Sequence, residues 1–313
     1  MLQSSPFFTT FAKISTRIMK VIIFGNKFRK DIANYTMRLI YALQESGFKD
    51  IIIEKDFAKY MADSGFDTSF ASEKIEEGED FMADIAFSVG GDGTFIRSSA
   101  KIGKKEIPIL GINAGRLGFL ADVHGEDIET AVAEIAKKQY TIEDRTLLRL
   151  HTKEKAYTDF NYALNEIAVL KQDSSSMITI HAWVNGKFLN SYQADGLLVA
   201  TSTGSTAYSL SVGGPIIVPQ SNSLIITPVA PHSLNVRPLI IPDDWVIELQ
   251  VESRNKHFLI ALDGRNNVFD HKTKLTIKKA SFNVKAIKRE NNDFFNTLRS
   301  KLMWGSDNRR YTI

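Results

Sequence analysis

SVGGDGTFIR, residues 88–97, places three glycines and an aspartate at the end of an apolar run that begins at Ile85. The run has the length of a buried strand, and TFIRSSAKI after it predicts a helix opening at Thr94. A strand, a glycine turn and a helix in that order set backbone N–H groups and a positive helix end around an anion. Gly90, Gly91, Gly93 and Thr94 are therefore the candidate phosphate loop. Asp92 stands in the middle of it, where negative charge is unwelcome. Three explanations are open: a helix N-cap or turn residue, a Mg²⁺ ligand, or a general base drawing a proton from an attacking hydroxyl. Neither G-x-x-x-x-G-K-[ST] nor G-x-G-x-x-G occurs here, so neither a P-loop nor a simple dinucleotide fingerprint is licensed.

Working outward, VIIFG reads as a strand, DIANYTMRLIYALQESG as a helix ending at Gly47, DIIIEKD as a second strand and KEIPILGIN as a further one. Strands interleaved with helices imply a parallel sheet with ligands beyond its carboxyl ends, where Gly90 and Gly111 fall. GINAGRLGFL, residues 111–120, is another glycine-spaced turn, with Arg116 available to a phosphate or carboxylate. In GEDIETAVAEIAKK, Ile128, Ala131, Val132 and Ile135 share one helical face. After it the pattern turns to strands: YTIEDRTLLRLHT, FNYALNEIAVL, SMITIHAWV and KFLNSYQ, then LIIT, PLIIP, DWVIELQV, HFLIALDG and TKLTIKKA. Asn185-Gly186 between two such runs is a hairpin signal, because a type I′ turn needs positive φ at both central residues. The tail, NDFFNTLRSKLMWG, returns to helical spacing with Phe294, Leu298 and Leu302 on one face. The expected organisation is an α/β domain over 19–143 with a parallel sheet, a β-rich domain over 144–288, and a tail over 289–313 whose helix packs back on the first domain. Residues 1–18, rich in Ser and Thr, read either as a targeting segment or as sequence before a start at Met19; the start-site reading is preferred and the segment is set aside.

The 313 residues are 43% hydrophobic and 24% charged with a formal net charge of +3, ordinary for a globular protein and without the basic stripe of a nucleic-acid binder. There is no cysteine, which excludes disulfides and thiolate metal sites and suits a cytoplasmic location. No apolar run approaches the ~18 residues of a membrane span. The six histidines show no metal-binding spacing, and only His232 is kept as near the site. Trp183, Trp245 and Trp304 are expected in cores or interfaces, and TIKKASFNVKAIKR as a solvated strand face.

Two further stretches bear on chemistry. Asn165-Glu166 puts adjacent polar residues inside a strand-like run, and exposed alternation explains one of them but not both. ADGLLVATSTGSTAYSLSVGGP, residues 194–215, runs an apolar strand into small hydroxyl residues and a short helix expected from Thr206. Small residues let the main chain approach a flat ligand, and hydroxyls bond ribose or amide groups. No G-x-S-x-G elbow supports a serine hydrolase.

At these residues the sequence resembles the NAD kinase family. GGDGT (90–94), NE (165–166), DGLLVATSTGSTAYSLSVGGP (195–215) and the closing LRSKLMWG occur in the family's order, over nearly all of residues 19–305. GGDGT alone is shared with phosphofructokinases and with diacylglycerol and sphingosine kinases; TGSTAYSLSVGGP is the specific part. The resemblance implies transfer of the γ-phosphoryl group of ATP, or another phosphoryl donor, to the 2′-hydroxyl of the adenosine ribose of NAD, giving NADP. It implies Mg²⁺ or a similar ion carried by the donor, and a homo-oligomer, dimer or tetramer. Asp92 matches the family's catalytic aspartate. Asn165 and Glu166 match the pair contacting the dinucleotide, and Asp195 a further binding carboxylate. Thr206, Ala207, Tyr208 and Ser211, with Thr203 beside them, match the segment lining adenine and ribose. Gly93, Arg97 and Ala230 are further contact positions. Asp263-Gly264 resembles a late family turn and is assigned no role beyond proximity. A lipid kinase reusing GGDGT and a non-catalytic dinucleotide binder are the rival classes.

Overall fold

β1 (Lys20–Gly25) lies between strands on both sides and is covered on both faces, so its Val-Ile-Ile-Phe run is buried without alternation. The computed structural model describes residues 19–29, 31–115, 118–121, 123–153, 160–172, 176–290 and 293–305; Arg116 and residues 1–18 fall outside them. After β1 come α1 (Ile32–Glu45), β2 (Asp50–Glu54), α2 (Lys55–Asp63), β3 (Glu73–Ile75), β4 (Ile85–Gly90), α3 (Asp92–Ile102), β5 (Ile109–Asn113), β6 (Val123–His124) and α4 (Ile128–Ala136). The strands pair in parallel in the order β3-β2-β1-β4-β5-β6. α1 and α4 bury their apolar stripes against one face, Leu39, Ile40 and Leu43 from one helix and Ile128, Val132 and Ile135 from the other. α3 covers the opposite face with Phe95 and Ile102. Each of these fully buried side chains contributes about 1.5–3 kcal/mol relative to exposure. α1 ends where the sequence places it: Gly47 at φ 87 lets Phe48 N–H reach Leu43 O (2.9 Å) and Gly47 N–H reach Gln44 O (3.0 Å).

The strand order reverses between β1 and β4, so the chain leaves their adjacent carboxyl ends in opposite directions and opens a crevice at Gly25 and Gly90. That crevice places the site.

The second half contains β7 (Tyr140–His151), β8 (Tyr162–Ala163), β9 (Glu166–Lys171), β10 (Ile178–Val184), β11 (Lys187–Ala194), β12 (Gly196–Thr201), α5 (Tyr208–Ser211), β13 (Ser223–Val229), β14 (Leu239–Pro242), β15 (Ile247–Glu252), β16 (His257–Leu262), β17 (Arg265–Asp270), β18 (Leu275–Arg289) and α6 (Phe294–Leu302). β14-β13-β12-β9-β16-β17 form an antiparallel six-stranded sheet. Its inner face, with Val169, Val199, Ile226 and Ile260, packs against Ile180, Leu249 and Ile277 of β10, β15 and β18. The two halves share one continuous sheet, because β18 pairs with β5 at Ala286–Ile109 and with β7 along most of its length. β7 therefore runs through residues 143–144 rather than starting there, whereas β18 ends at Arg289. α6 returns to the first half, its Phe294 ring 5.9 Å from that of Phe119.

Several expectations change in detail. α3 opens at Asp92, two residues before Thr94, with Gly91 as its N-cap, so Asp92 is a first-turn residue and not the cap. α2 and the edge strand β3 have no counterpart in the sequence reading, since Glu-Lys-Ile carries no apolar run. FNYALNEIAVL is broken into β8 and β9 at Leu164–Asn165. The lysine-rich TIKKASFNVKAIKR is no solvated face: β18 is an interior strand that buries Ile277, Phe282, Val284 and Ala286, and Lys279 pairs with buried Asp243 at 2.6 Å. Trp245 and Trp304 are exposed in this chain. Among the described residues no helix is long and apolar enough to cross a membrane.

The β10–β11 hairpin turns on Asn185 (φ 48) and Gly186 (φ 72), as a type I′ turn requires. Gly186→Ala, which forces a Cβ into the left-handed region, is expected to cost about 1–2 kcal/mol. A thermal melt reads this as a lowered midpoint.

Candidate functional site

One wall of the site is built by the ends of β4 and β5. Asp92, in the first turn of α3, turns its carboxylate onto the segment after β5 and accepts three backbone N–H groups. Phe119 donates to Oδ2 at 2.9 Å, and Leu120 and Ala121 donate to Oδ1 at 3.0 Å each. Lys301 Nζ of α6 is 3.3 Å from Oδ2, and the Asp92 side chain stays 29% exposed. Two glycines make this approach possible. A Cβ on Gly118 would stand 1.9 Å from Asp92 Oδ1, and one on Gly111 would stand 2.6 Å from the Ala121 Cα. Gly90 is needed for a similar reason, because a Cβ there would meet Thr94 Oγ1 at 2.3 Å. Thr94 is buried, and its Oγ1 accepts a bond from the exposed Arg97 (3.2 Å). The positive end of α3 thus carries Gly93 and Arg97 toward solvent.

The other wall is the break between β8 and β9. There Asp263, in the turn between β16 and β17, accepts the N–H groups of Leu164 (2.7 Å), Asn165 (2.8 Å) and Glu166 (3.2 Å). That grip explains the two adjacent polar residues: Asn165 is lifted out of the strand, and Glu166 becomes its first residue, turned inward. The Asn165 carbonyl accepts Thr201 N–H (2.8 Å), and Gly204 packs so closely that a Cβ would stand 2.1 Å from that oxygen. TSTGSTAYS forms a short 3-10 turn at Thr203–Thr206 followed by α5 from Tyr208, so the helix expected from Thr206 begins two residues later. The Tyr208 N–H donates to Glu166.

Glu166 is buried, and its Oε2 has no hydrogen-bond partner. Burial first, then the negative charge of Asp263, push its carboxyl up to about 7 against the lowering effect of the Tyr208 N–H. Burial also raises Asp263, opposed by its three N–H donors. A carboxyl of this kind is about half protonated near neutrality.

Between the walls lies a cavity of about 610 Å³. Gly25 to Phe28, Gly93, Ile96 and Arg97 line one side, and Leu164, Asp263, Gly264 and Arg265 the other. Its charges are balanced: Lys101 pairs with Glu54 (2.6 Å) and Lys27 with Asp56 (2.8 Å). Arg265 donates to the carbonyls of Phe160 and Tyr162. Asp92 itself borders this cavity through Gly93 and does not line it. Asn165, Glu166, Thr203, Thr206, Ala207 and Tyr208 gather behind Leu164 and Asp263, with Ser211 exposed at the end of α5. Asp195 and Ala230 do not join them. They sit at the opposite end of β12, paired with Lys171 (2.7 Å) and held in a positive-φ conformation (φ 43) respectively. Six strand residues separate Asp195 from Thr203, roughly 20 Å of extended chain. His232 lies at that far end, its N–H on Gln193 O (2.9 Å).

The sequence reading missed the N–H groups of Phe119, Leu120 and Ala121, the gripping role of Asp263, and Lys301. Backbone donors leave no side-chain signature. Lys301, though inside the quoted LRSKLMWG, reads in isolation as an ordinary surface charge.

Residues 21–140 match the ATP-NAD kinase N-terminal domain family, and residues 164–289 match the ATP-NAD kinase C-terminal domain family. An NAD kinase of Bacteroides fragilis is 49% identical over 291 residues, covering 93% of this chain and all of that one. An NAD kinase of Cytophaga hutchinsonii is 44% identical over 290 residues, covering 91% and 98%. Among solved structures, an Archaeoglobus fulgidus NAD kinase in complex with ATP superposes with a TM-score of 0.69 at 27% identity, covering 90% of this chain and 99% of that one. A yeast NADH kinase complexed with NADH superposes with a TM-score of 0.83 at 24% identity, covering 95% and 91%, which shows a common fold.

Two outcomes follow from the geometry. The folded chain keeps the Glu166 proton up to a pH of about 7, whereas the unfolded chain releases it near the ordinary value of 4.5. The folded form therefore binds more protons across that window, and stability falls as pH rises through it, by up to about 3 kcal/mol. Glu166→Gln should flatten the slope in urea midpoints measured from pH 5 to 8. Gly118→Ala drives a methyl into the Asp92 carboxylate and is expected to cost about 1–3 kcal/mol of stability. Turnover should fall with it, both read on the purified variant.

Proposed function

The chain belongs to the NAD kinase family and is a phosphotransferase acting on NAD; on that premise we propose that it moves the γ-phosphoryl group of ATP to the 2′-hydroxyl of the adenosine ribose, with Asp92 as the proton acceptor. The observation that carries this reading is the placement of Asp92: its carboxylate is oriented by three backbone N–H groups beside the positive end of α3, at the edge of a crevice whose far wall is Leu164 and Asp263, with Asn165 and Glu166 behind them. A ribose hydroxyl is a weak nucleophile near neutral pH, and a positioned carboxylate that takes its proton as attack proceeds makes it competent. The oxygen then bonds to the γ-phosphorus, the bond to the β–γ bridging oxygen breaks, and ADP leaves with the electron pair. Phosphoryl transfer asks chiefly for alignment and charge neutralisation. The N–H groups of Gly91, Asp92 and Gly93 in the Gly90–Thr94 loop and the Arg97 guanidinium would supply part of that at the phosphates, while Asn165, Glu166 and the Thr203–Ser211 segment would hold the dinucleotide.

Among the described residues no three His, Cys, Asp or Glu side chains converge on a metal position. A divalent ion such as Mg²⁺ would be held chiefly by the donor's phosphate oxygens and water, its usual mode in such sites, and would supply charge neutralisation there. The distance of Asp195 and Ala230 from the crevice favours a homo-oligomer, in which that end of one copy can meet the crevice of another. The cytoplasm is the compartment we propose for the reaction.

Asp92→Asn keeps the shape of the side chain and removes its capacity to take a proton. It is expected to bind NAD within a few-fold of the parent while kcat falls by about 10²–10⁴. NADP production from NAD, ATP and Mg²⁺, read through an NADP-dependent dehydrogenase, checks this. Near-normal production would remove Asp92 from the chemistry.

A further inference from the structure

An ionised carboxylate offers about four acceptor positions. On Asp92 three are filled by the N–H groups of Phe119, Leu120 and Ala121 at 2.9–3.0 Å, all from one backbone segment that cannot withdraw without pulling away from β5. The fourth is filled by Lys301 Nζ at 3.3 Å from Oδ2, the longest of the set and the one carried by a flexible side chain a third exposed to solvent. A hydroxyl that is to give its proton to Asp92 must hydrogen-bond to one of these oxygens first, and it must displace a donor to do so. Lys301 is the donor that can leave.

Lys301 need not travel far. Its Nζ also lies 4.6 Å from the centroid of the Phe119 ring, a cation–π contact that survives loss of the carboxylate. α6 is fixed beneath it by Asp293, which caps the helix through Asn296 N–H (2.7 Å), by buried Thr297 and Leu298, and by the Phe294–Phe119 ring contact. An oxygen within hydrogen-bond reach of Asp92 Oδ2 would lie within about 6 Å of the present ammonium position, close enough for that charge to act on a phosphoryl group arriving there.

We propose that Lys301 is a positioning residue of the transfer. In the ligand-free chain its ammonium occupies the acceptor position on Asp92 that the ribose hydroxyl takes. On exchange it remains over Phe119, where its charge offsets the negative charge gathering during transfer. The inference rests on Asp92 being the proton acceptor. It adds that the C-terminal helix, 209 residues away in sequence, is part of the site.

The test uses the full chain with Lys301→Met, Lys301→Gln and Lys301→Arg, measuring the Kd for NAD without ATP and kcat with ATP and Mg²⁺. Removing the ammonium should tighten NAD binding two- to tenfold, since the hydroxyl no longer competes, while kcat falls at least tenfold. Lys301→Arg should restore most of the turnover. In an Asp92→Asn background the tightening should vanish, because the two residues act through one contact. Helix docking alone would instead weaken binding and turnover together, with melting temperature lowered and Arg no better than Met or Gln. That pattern, or unchanged Kd and kcat in both neutral variants, overturns the proposal. Substantial turnover in Asp92→Asn alone would sink the proton-acceptor reading; an inactive Asp92→Asn beside an indifferent Lys301→Met would sink only the role of Lys301.

Discussion

The site depends on a carboxylate, Asp92, being held at the start of α3 by backbone donors from a different strand connection. Buried or half-buried charge is tolerable only where hydrogen bonds replace water. Phe119, Leu120 and Ala121 provide that replacement at one stroke and lock the two connections of β4 and β5 together. The glycines at 111 and 118 exist to permit the approach, since a methyl at either would strike the Ala121 backbone or the carboxylate itself.

The opposite wall repeats the device. Asp263 takes three consecutive N–H groups at Leu164, Asn165 and Glu166, and so breaks one apolar run into two strands. Both aspartates accept three main-chain N–H groups, and both thereby present neighbouring residues, Gly93 and Arg97 on one side, Asn165 and Glu166 on the other, at fixed positions. They differ in burial. Asp92 keeps access to solvent and to Lys301, whereas Asp263 and Glu166 are enclosed together, which raises both carboxyls. One wall is suited to exchanging a donor during reaction, the other to rigid support.

The shared sheet ties the two halves together, and the six-stranded sheet that carries Asp263 packs on it through an apolar core. β18 pairs with β5 of the parallel sheet and continues into the sandwich beside β15, so hydrogen bonds carry the first half into the second. α6 adds a third support by packing against Phe119 from the chain's far end.

The sequence by itself determined the parallel α/β order around β1, β4 and β5, the end of α1 at Gly47 and the type I′ turn at Asn185-Gly186. Each follows from local periodicity or from backbone angles that few residues tolerate. It also singled out Gly90–Thr94, Asn165-Glu166 and Thr203–Ser211, whose small and polar residues are unusual beside apolar strands. Only the tertiary structure decided that Asp92 faces Phe119–Ala121, that Asp263 shapes the Asn165 bend, that β18 is interior, and that Asp195 and Ala230 lie apart from the rest. The two aspartate contacts join residues 27 to 99 positions apart and are made by N–H groups that every residue except proline possesses. Neither periodicity nor residue type records them.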